Sequence, residues 1–203
     1  MMNENDILTK NFINSTKVER NDEVFTYFEI PEIRDCRVLM TSGLSNHKMQ
    51  VHPKHEGEEF VELYMFLPSY WSENEWKESK NEWVFSCLSK AKSHVINTNA
   101  WYAHGHTFST EIEGASIFNG MEQTDYIMSN PIVLKDFLKP VDSNNRVIRF
   151  LAIIPIYKKE REYKEARGTF KMFEKFRQNH VTEKMDGYRE CVMKSRWSRL
   201  FKR

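Results

Sequence analysis

Four side chains in this chain of 203 residues have the chemistry of a hydrolytic centre. The set is Ser42, Glu62, His104 and His106. In a serine hydrolase, Ser42 would be the nucleophile, His106 its base and Glu62 the group that orients the base. The G-x-S-x-G motif, which exposes a serine at a strained turn between a strand and a helix, is absent here, because methionine and threonine precede Ser42. A serine hydrolase is therefore the alternative hypothesis and not the favoured one.

The H-x-H pair, His104 and His106, is a candidate metal site. On a strand, the two imidazoles lie on one face and are close enough to bind one ion. A third ligand would have to come from His52, His55 or Glu62, and no local spacing fixes the position of any of them. We therefore predict no metal site, no cofactor and no enzymatic activity, and we keep a metal-dependent hydrolase beside the serine hydrolase as the alternative.

The same groups also suit a structural role. Glu62 lies in the apolar run VELYMFLP, and a carboxylate buried in a strand needs hydrogen-bond donors. The turn that follows residue 40 offers hydroxyl and N–H groups. We predict no catalytic residue and a structural polar cluster instead. The members of this cluster are Thr41, Ser42, Gly43, Glu62 and His106.

Apolar alternation predicts the strands that position these groups. Strands are expected over residues 23–30, 36–41, 61–68, 99–110, 115–121, 131–138 and 147–156. The run VIRFLAIIPI at 147–156 is apolar on both faces and is therefore expected at the centre of the sheet. If residues 99–110 form a strand, His104 and His106 share one of its faces.

Helices are predicted in the middle and at the end of the chain. Ser79 and Glu82 have the spacing of a capping box, so a helix is expected to start there. Spacings of three and four between Tyr163 and Phe176 predict further helix, with a break at Gly168. The basic tail from residue 184 has an apolar stripe that also favours a helix.

Bulk composition narrows the possible partners and location. A formal net charge of +1 with 29% charged residues gives no overall positive field, so nucleic acid is not an expected partner. Cys36, Cys87 and Cys191 are odd in number and match no zinc motif, which indicates reduced packing residues. Without a signal sequence or an apolar run long enough to span a membrane, the expected location is the cytoplasm.

Five blocks of sequence together resemble one known family. They are LMTSGLSNHKM, VELYMFLPSYW, a tryptophan-bearing helix, WYAHGHT and RFLAIIPIYKKE. Their order and spacing resemble the bacterial branch of the Suppressor of fused (SUFU) domain family over most of the chain. The resemblance implies protein binding, since animal relatives grip a transcription factor and bacterial members are often proposed to be immunity proteins that neutralise a partner toxin.

The expected fold is α+β, a single SUFU-like domain with a largely antiparallel, twisted sheet packed with helices and a helical C-terminal extension. The expected segments are an N-terminal arm at 1–20, the SUFU-like domain at 21–180 and a basic extension at 181–203. The expected function is non-enzymatic binding of a protein partner, with a toxin domain as the candidate. The candidate partner-binding residues are His47, His52, His55, Trp71 and Trp76.

Overall fold

An eight-stranded sheet organises the part of the chain that the computed structural model describes, which is residues 15–71, 74–109, 117, 121–143 and 145–194. The strands are β1 (Thr16–Arg20), β2 (Glu23–Glu29), β3 (Arg37–Thr41), β4 (Phe60–Phe66), β5 (Thr107–Ser109), β6 (Asp125–Ser129), β7 (Val141–Ser143) and β8 (Arg146–Ile156). The helices are α1 (Glu82–Thr98), α2 (Lys158–Arg167) and α3 (Thr169–Gln178).

The strand order is β1-β2-β3-β4-β8-β6-β5, and β7 pairs with the beginning of β8. Neighbouring strands are antiparallel except β4 and β8, which run parallel and place Glu62 opposite Phe150. The predicted α+β fold with a largely antiparallel sheet is confirmed. The central position predicted for VIRFLAIIPI is also confirmed, because β8 lies between β4 and β6.

Helices cover both faces of the sheet. On β4, Leu63 and Met65 face a core that includes the buried side of α1, whereas Tyr64 and Phe66 face a second core that includes Met172 of α3. A strand covered on both faces has apolar residues at consecutive positions, and the predicted strands show this pattern. None of the helices in the described residues is long and apolar enough to cross a membrane.

Residues 131–138 form turns and not the predicted strand. The reason is a carboxylate distant in sequence: one Glu183 oxygen accepts hydrogen bonds from the N–H groups of Ile132, Val133 and Leu134, at 2.8, 2.7 and 2.9 Å. Three successive N–H groups that converge on one oxygen cannot pair with a neighbouring strand. Of the strand predicted over 115–121, only residues 117 and 121 are described, and neither lies in a strand; its other residues lie outside the described part of the chain.

The start of α1 also differs from the prediction. A short 3-10 turn, Ser79–Asn81, precedes the helix, and the N-cap is Asn81, whose side chain caps no helical N–H group. Glu82 accepts a hydrogen bond from the Asn21 side chain at 3.1 Å, in the turn between β1 and β2. The predicted capping box is therefore wrong, because a tertiary contact takes the carboxylate that it required. The break between α2 and α3 at Gly168 is confirmed, since this residue has φ 84° and ψ 164°.

Both ends of the described chain pack against the sheet. Residues Thr16–Arg20, predicted as part of an arm, form the edge strand β1. Residues 181–194 contain no helix. Instead, the Met185 N–H donates to the Phe66 carbonyl at 2.9 Å, and Arg189 donates to the fully buried carboxylate of Glu160 at 2.7 and 2.6 Å. The remainder of the helix predicted in the basic tail, residues 195–203, lies outside the described residues.

The segment before β5 turns sharply where a continuous strand is predicted. Only Thr107–Ser109 of residues 99–110 is a strand, and Gly105 has a φ of 88°. The Gly105 N–H donates to the Met128 carbonyl, and the Met128 N–H donates to the His106 carbonyl, each at 2.8 Å. A Cβ atom on Gly105 would lie 2.3 Å from the Thr169 side chain. Positive φ and close packing on α3 therefore both require glycine here.

Substituting Gly105→Ala tests this dual requirement, with Gly57→Ala as its matched control. Both glycines have a φ of 88°, but a Cβ atom on Gly57 would meet nothing within 4 Å. We expect Gly57→Ala to lower the free energy of unfolding by about 1 kcal/mol, through backbone strain alone. Gly105→Ala adds the steric conflict with Thr169 and should lower it by about 3 kcal/mol. Urea unfolding of both variants measures the difference, and equal losses would refute the close-packing role of Gly105.

Candidate partner-binding site and the polar cluster

Glu62 holds the turn that follows β3. Its side chain is fully buried. Oε1 accepts hydrogen bonds from the Gly43 N–H at 2.9 Å, the Ser45 N–H at 3.0 Å and the Ser45 hydroxyl at 2.7 Å. Oε2 accepts from the Thr41 hydroxyl at 2.5 Å. Burial raises the pKa of Glu62, and the hydrogen bonds from Thr41, Ser45 and Gly43 oppose that shift because they favour the ionised carboxylate.

The structure brings together some members of the predicted polar cluster and separates others. Thr41, Gly43 and Glu62 are joined as described. The Ser42 hydroxyl instead lies 2.7 Å from the Thr26 hydroxyl and accepts a hydrogen bond from the Lys17 amine at 3.3 Å. Nδ1 of His106 lies 3.2 Å from the Trp101 carbonyl oxygen. In their place the structure adds Ser45, which the sequence analysis missed although it lies only two residues after Gly43.

A serine-histidine pair is therefore not assembled at Ser42. A nucleophilic serine needs a base within hydrogen-bond reach, and the side-chain neighbours of Ser42 in the described residues are a hydroxyl and an amine. Glu62 is occupied by four donors of the β3 turn. Glu62 therefore has a structural role: its buried carboxylate accepts hydrogen bonds from N–H and O–H groups of a tight turn.

His104 and His106 point into different environments, because the turn at Gly105 separates them. Nδ1 of His104 accepts a hydrogen bond from the Asn130 N–H at 3.2 Å, and its ring centroid is 4.2 Å from that of Phe173. Burial lowers the pKa of both histidines, and nearby cations lower it further. The described residues include no group of three side chains that could hold a metal ion. The shared strand face that suggested a metal site is thus not formed.

His55, Trp101 and His106 are in ring contact at the surface and form a group that we call the histidine–tryptophan cluster. The centroid of Trp101 lies 4.9 Å from that of His55 and 4.4 Å from that of His106. All three side chains are half-buried. Nδ1 of His55 lies 3.2 Å from the Glu58 carboxylate, which pairs with Arg149 at 2.5 Å. Tryptophan and arginine are among the residues that are enriched at protein interfaces.

The predicted partner-binding residues lie at two separate ends of β4. His47, His52 and His55 belong to the loop that leads into the strand, where His52 is exposed and the Nε2 atom of His47 is buried without a hydrogen-bond partner among the described residues. Trp71 follows the strand, half-buried, with its centroid 6.4 Å from that of Trp83. Trp76 lies in the 3-10 turn Glu75–Lys77. Seven residues of extended strand separate the two ends by about 20 Å, so the loop histidines and Trp71 do not form one patch.

Sequence analysis missed the role of Trp101 and the pairing of Glu58 with Arg149. Tryptophan is usually a packing residue, so its position beside His55 and His106 was not evident from composition. Arg149 is brought to the loop by the parallel pairing of β4 with β8, which places it opposite Val61. No short-range pattern signals such a contact, because the two strands are distant in sequence.

Substituting Glu62→Ala tests the structural role of the polar cluster. The change leaves the buried N–H groups of Gly43 and Ser45 without an acceptor, so we expect the free energy of unfolding to fall by about 3 kcal/mol. Glu56→Ala, in an exposed position of the following loop, should change it by less than about 0.5 kcal/mol. Urea denaturation measures both variants. A loss at Glu62 no larger than that at Glu56 would contradict the structural role.

Several solved protein structures resemble this chain in fold. A chain in the Sufu-Fu complex crystal structure aligns with a TM-score of 0.66 at 14% identity, covering 97% of this chain and 91% of that one. A protein described as a suppressor of fused homologue from Neisseria gonorrhoeae FA 1090 aligns with a TM-score of 0.63 at 15% identity, covering 94% of each chain. Drosophila Suppressor of Fused gives a TM-score of 0.67 at 13% identity, covering 97% of this chain and 50% of that one. At these identities the likeness is one of fold.

Family membership rests on the sequence itself. No curated protein sequence matches the chain. The family model for the Suppressor of fused protein (SUFU) matches residues 22–190, which include every strand from β2 to β8 and all three described helices. The match spans most of the 203 residues, and it agrees with the resemblance of the five sequence blocks. The chain therefore belongs to the Suppressor of fused protein (SUFU) family.

Proposed function

We propose that this chain works by binding a protein partner and not by catalysis. One observation carries the proposal: a chain of the same fold is part of a complex with another protein, the Sufu-Fu complex. Membership of the SUFU family supports it. The hydrogen-bond partners of Ser42 and Glu62 agree with a scaffold role for the groups that would otherwise suggest a hydrolase.

The partner is proposed to contact the end of the sheet where the chain enters β4. This end carries the histidine–tryptophan cluster and the exposed side chain of His52. Half-buried rings lose little conformational freedom on binding, because packing already orders them, and charged neighbours add specificity. His47 belongs to the same loop. The segment with Trp71 and Trp76 is a second contact region, about 20 Å away at the other end of β4.

The partner class that we propose is a toxin domain, with this chain acting as an immunity protein in the bacterial cytoplasm. The proposal comes from the family resemblance, which implies a role of this kind for bacterial members. Nucleic acid is not part of the proposal, since the chain has a formal net charge of only +1.

A direct test uses the C-terminal domain of a toxin-like protein encoded immediately upstream of the gene. We expect the purified domain to bind this chain in isothermal titration calorimetry, and co-expression to restore growth of cells that produce the toxin. The double variant His52→Ala/His55→Ala should weaken binding about tenfold, since it removes two side chains of the proposed contact end.

The matched control for this test is Tyr188→Ala. Tyr188 is an exposed aromatic residue, with 78% of its surface accessible, and it contacts Tyr70 beyond the opposite end of β4. The control should bind like the unmodified chain. Absence of both binding and growth protection would refute the immunity role. Loss of binding in the Tyr188 variant alone would move the interface to the other end of the sheet.

A further inference from the structure

The α2–α3 hairpin concentrates positive charge, as does the basic tail from residue 184. Residues 158–178 contain eight Lys or Arg residues and four Glu residues, a formal charge of +4, whereas the whole chain has a formal net charge of +1. The other 182 residues are therefore net negative. The even balance of the composition hides this asymmetry, because it averages a basic hairpin and a basic tail with an acidic remainder.

Internal pairing removes little of this charge. Glu160 does not offset it at the surface, because it is fully buried and bound by Arg189. Arg161 pairs with the buried carboxylate of Asp125 at 2.6 Å. Lys171 pairs with Glu174 at 3.0 Å on the exposed side of α3. Several cations of the hairpin remain exposed to solvent. They are Lys158, Lys159, Arg167, Lys171 and Arg177.

An exposed aromatic ring lies within this basic region. Phe170 is 77% exposed, and the Lys171 amine lies 5.6 Å from its ring centroid. Ala166 and Arg167 at the end of α2 and Gly168 at the junction between the helices are also exposed. A small apolar centre bordered by cations is the composition of an interface core with a charged rim. An isolated Phe at this exposure contributes little to the stability of its own domain.

The basic hairpin adjoins the proposed partner-binding end of the sheet. Phe173, one helical turn after Phe170, contacts the ring of His104, and Thr169 packs against Gly105. Lys164 is close enough to His106 to lower the pKa of that histidine. The histidine–tryptophan cluster and the hairpin are thus neighbours, in contact through residues 104–106.

We propose that the exposed face of the α2–α3 hairpin, centred on Phe170 and bordered by Arg167 and Lys171, docks an acidic protein segment that carries an apolar side chain. The inference rests on the proposed protein-binding function and specifies the chemistry of the partner. Charge complementarity selects acidic over basic partners, because like charges at an interface are costly. Phe170 supplies the apolar anchor that a purely electrostatic contact lacks.

The test measures binding of a fluorescein-labelled peptide of alternating Glu and Phe, with a Lys and Phe peptide of equal length as the negative probe. We expect the acidic peptide to bind and the basic one not to bind. The variant Arg167→Glu/Lys171→Glu should weaken binding of the acidic peptide by at least about tenfold, and Phe170→Ala by about fivefold. Added salt should weaken binding by the full-length chain, because it screens exposed charges.

The matched control is Arg34→Glu/Lys90→Glu, which changes the net charge equally at exposed positions away from the hairpin. Arg34 lies in the turn between β2 and β3, and Lys90 lies on α1, across the sheet from α3. The control should bind within about twofold of the unmodified chain, because its substitutions leave the proposed surface intact. Equal weakening in both double variants would overturn the proposal, since it would show a general charge effect.

Two further sets of measurements distinguish failure of this inference from failure of the proposed function. Tighter binding of double-stranded DNA or of phosphatidylserine vesicles than of the acidic peptide would overturn the proposal, as would failure of the acidic peptide to bind. If the toxin domain still binds the Arg167→Glu/Lys171→Glu variant with unchanged affinity, the acidic-partner inference fails while the binding function stands. If the toxin domain fails to bind the unmodified chain and the acidic peptide still binds the hairpin, the immunity role fails while the docking surface stands.

Discussion

Buried carboxylates hold the loops of this protein to its sheet. Glu62, Glu160 and Glu183 are each 0% exposed, and each accepts hydrogen bonds from backbone N–H groups of a segment distant in sequence. A buried carboxyl group is costly without hydrogen-bond donors, so each glutamate imposes one arrangement on the segment that it binds. The turn after β3, the loop before β7 and the C-terminal segment all take their conformations from this constraint.

The same constraint distinguishes the buried polar groups, which stabilise the fold, from the exposed groups that a partner can contact. Because helices cover both faces of the sheet, the three buried carboxylates are bound to internal donors, and the surfaces open to a partner include the ends of the strands and the outer sides of the helices. The histidine–tryptophan cluster lies at one strand end, and the basic hairpin adjoins it. The binding function proposed above fits this arrangement, in which a rigid centre positions loops and helix faces.

Gly105 connects the histidine–tryptophan cluster to the α2–α3 hairpin. Its positive φ turns the chain between two histidines, and its lack of a side chain lets α3 approach through Thr169. One residue thus separates His104, which lies against Phe173, from His106, which lies against Trp101. A continuous strand would have placed both imidazoles on one face. The turn instead places the histidine–tryptophan cluster next to the α2–α3 hairpin.

Local pattern determined the elements that are apolar and regular. The strands β2, β3, β4 and β8, the α+β class and the break at Gly168 follow from side-chain periodicity, because burial on one or both faces leaves that signature in sequence. The need of Glu62 for donors near Gly43 was also predictable, since a carboxylate in an apolar strand must be satisfied. Tertiary structure decided the features that depend on residues distant in sequence. They are the turns at 131–138 held by Glu183, the capping of α1, the segment near the C-terminus bound through Arg189, and the placement of His55 and Trp101 near the basic hairpin. Hydrogen bonds and ring contacts between segments many residues apart leave no periodic trace, so only the folded chain shows them.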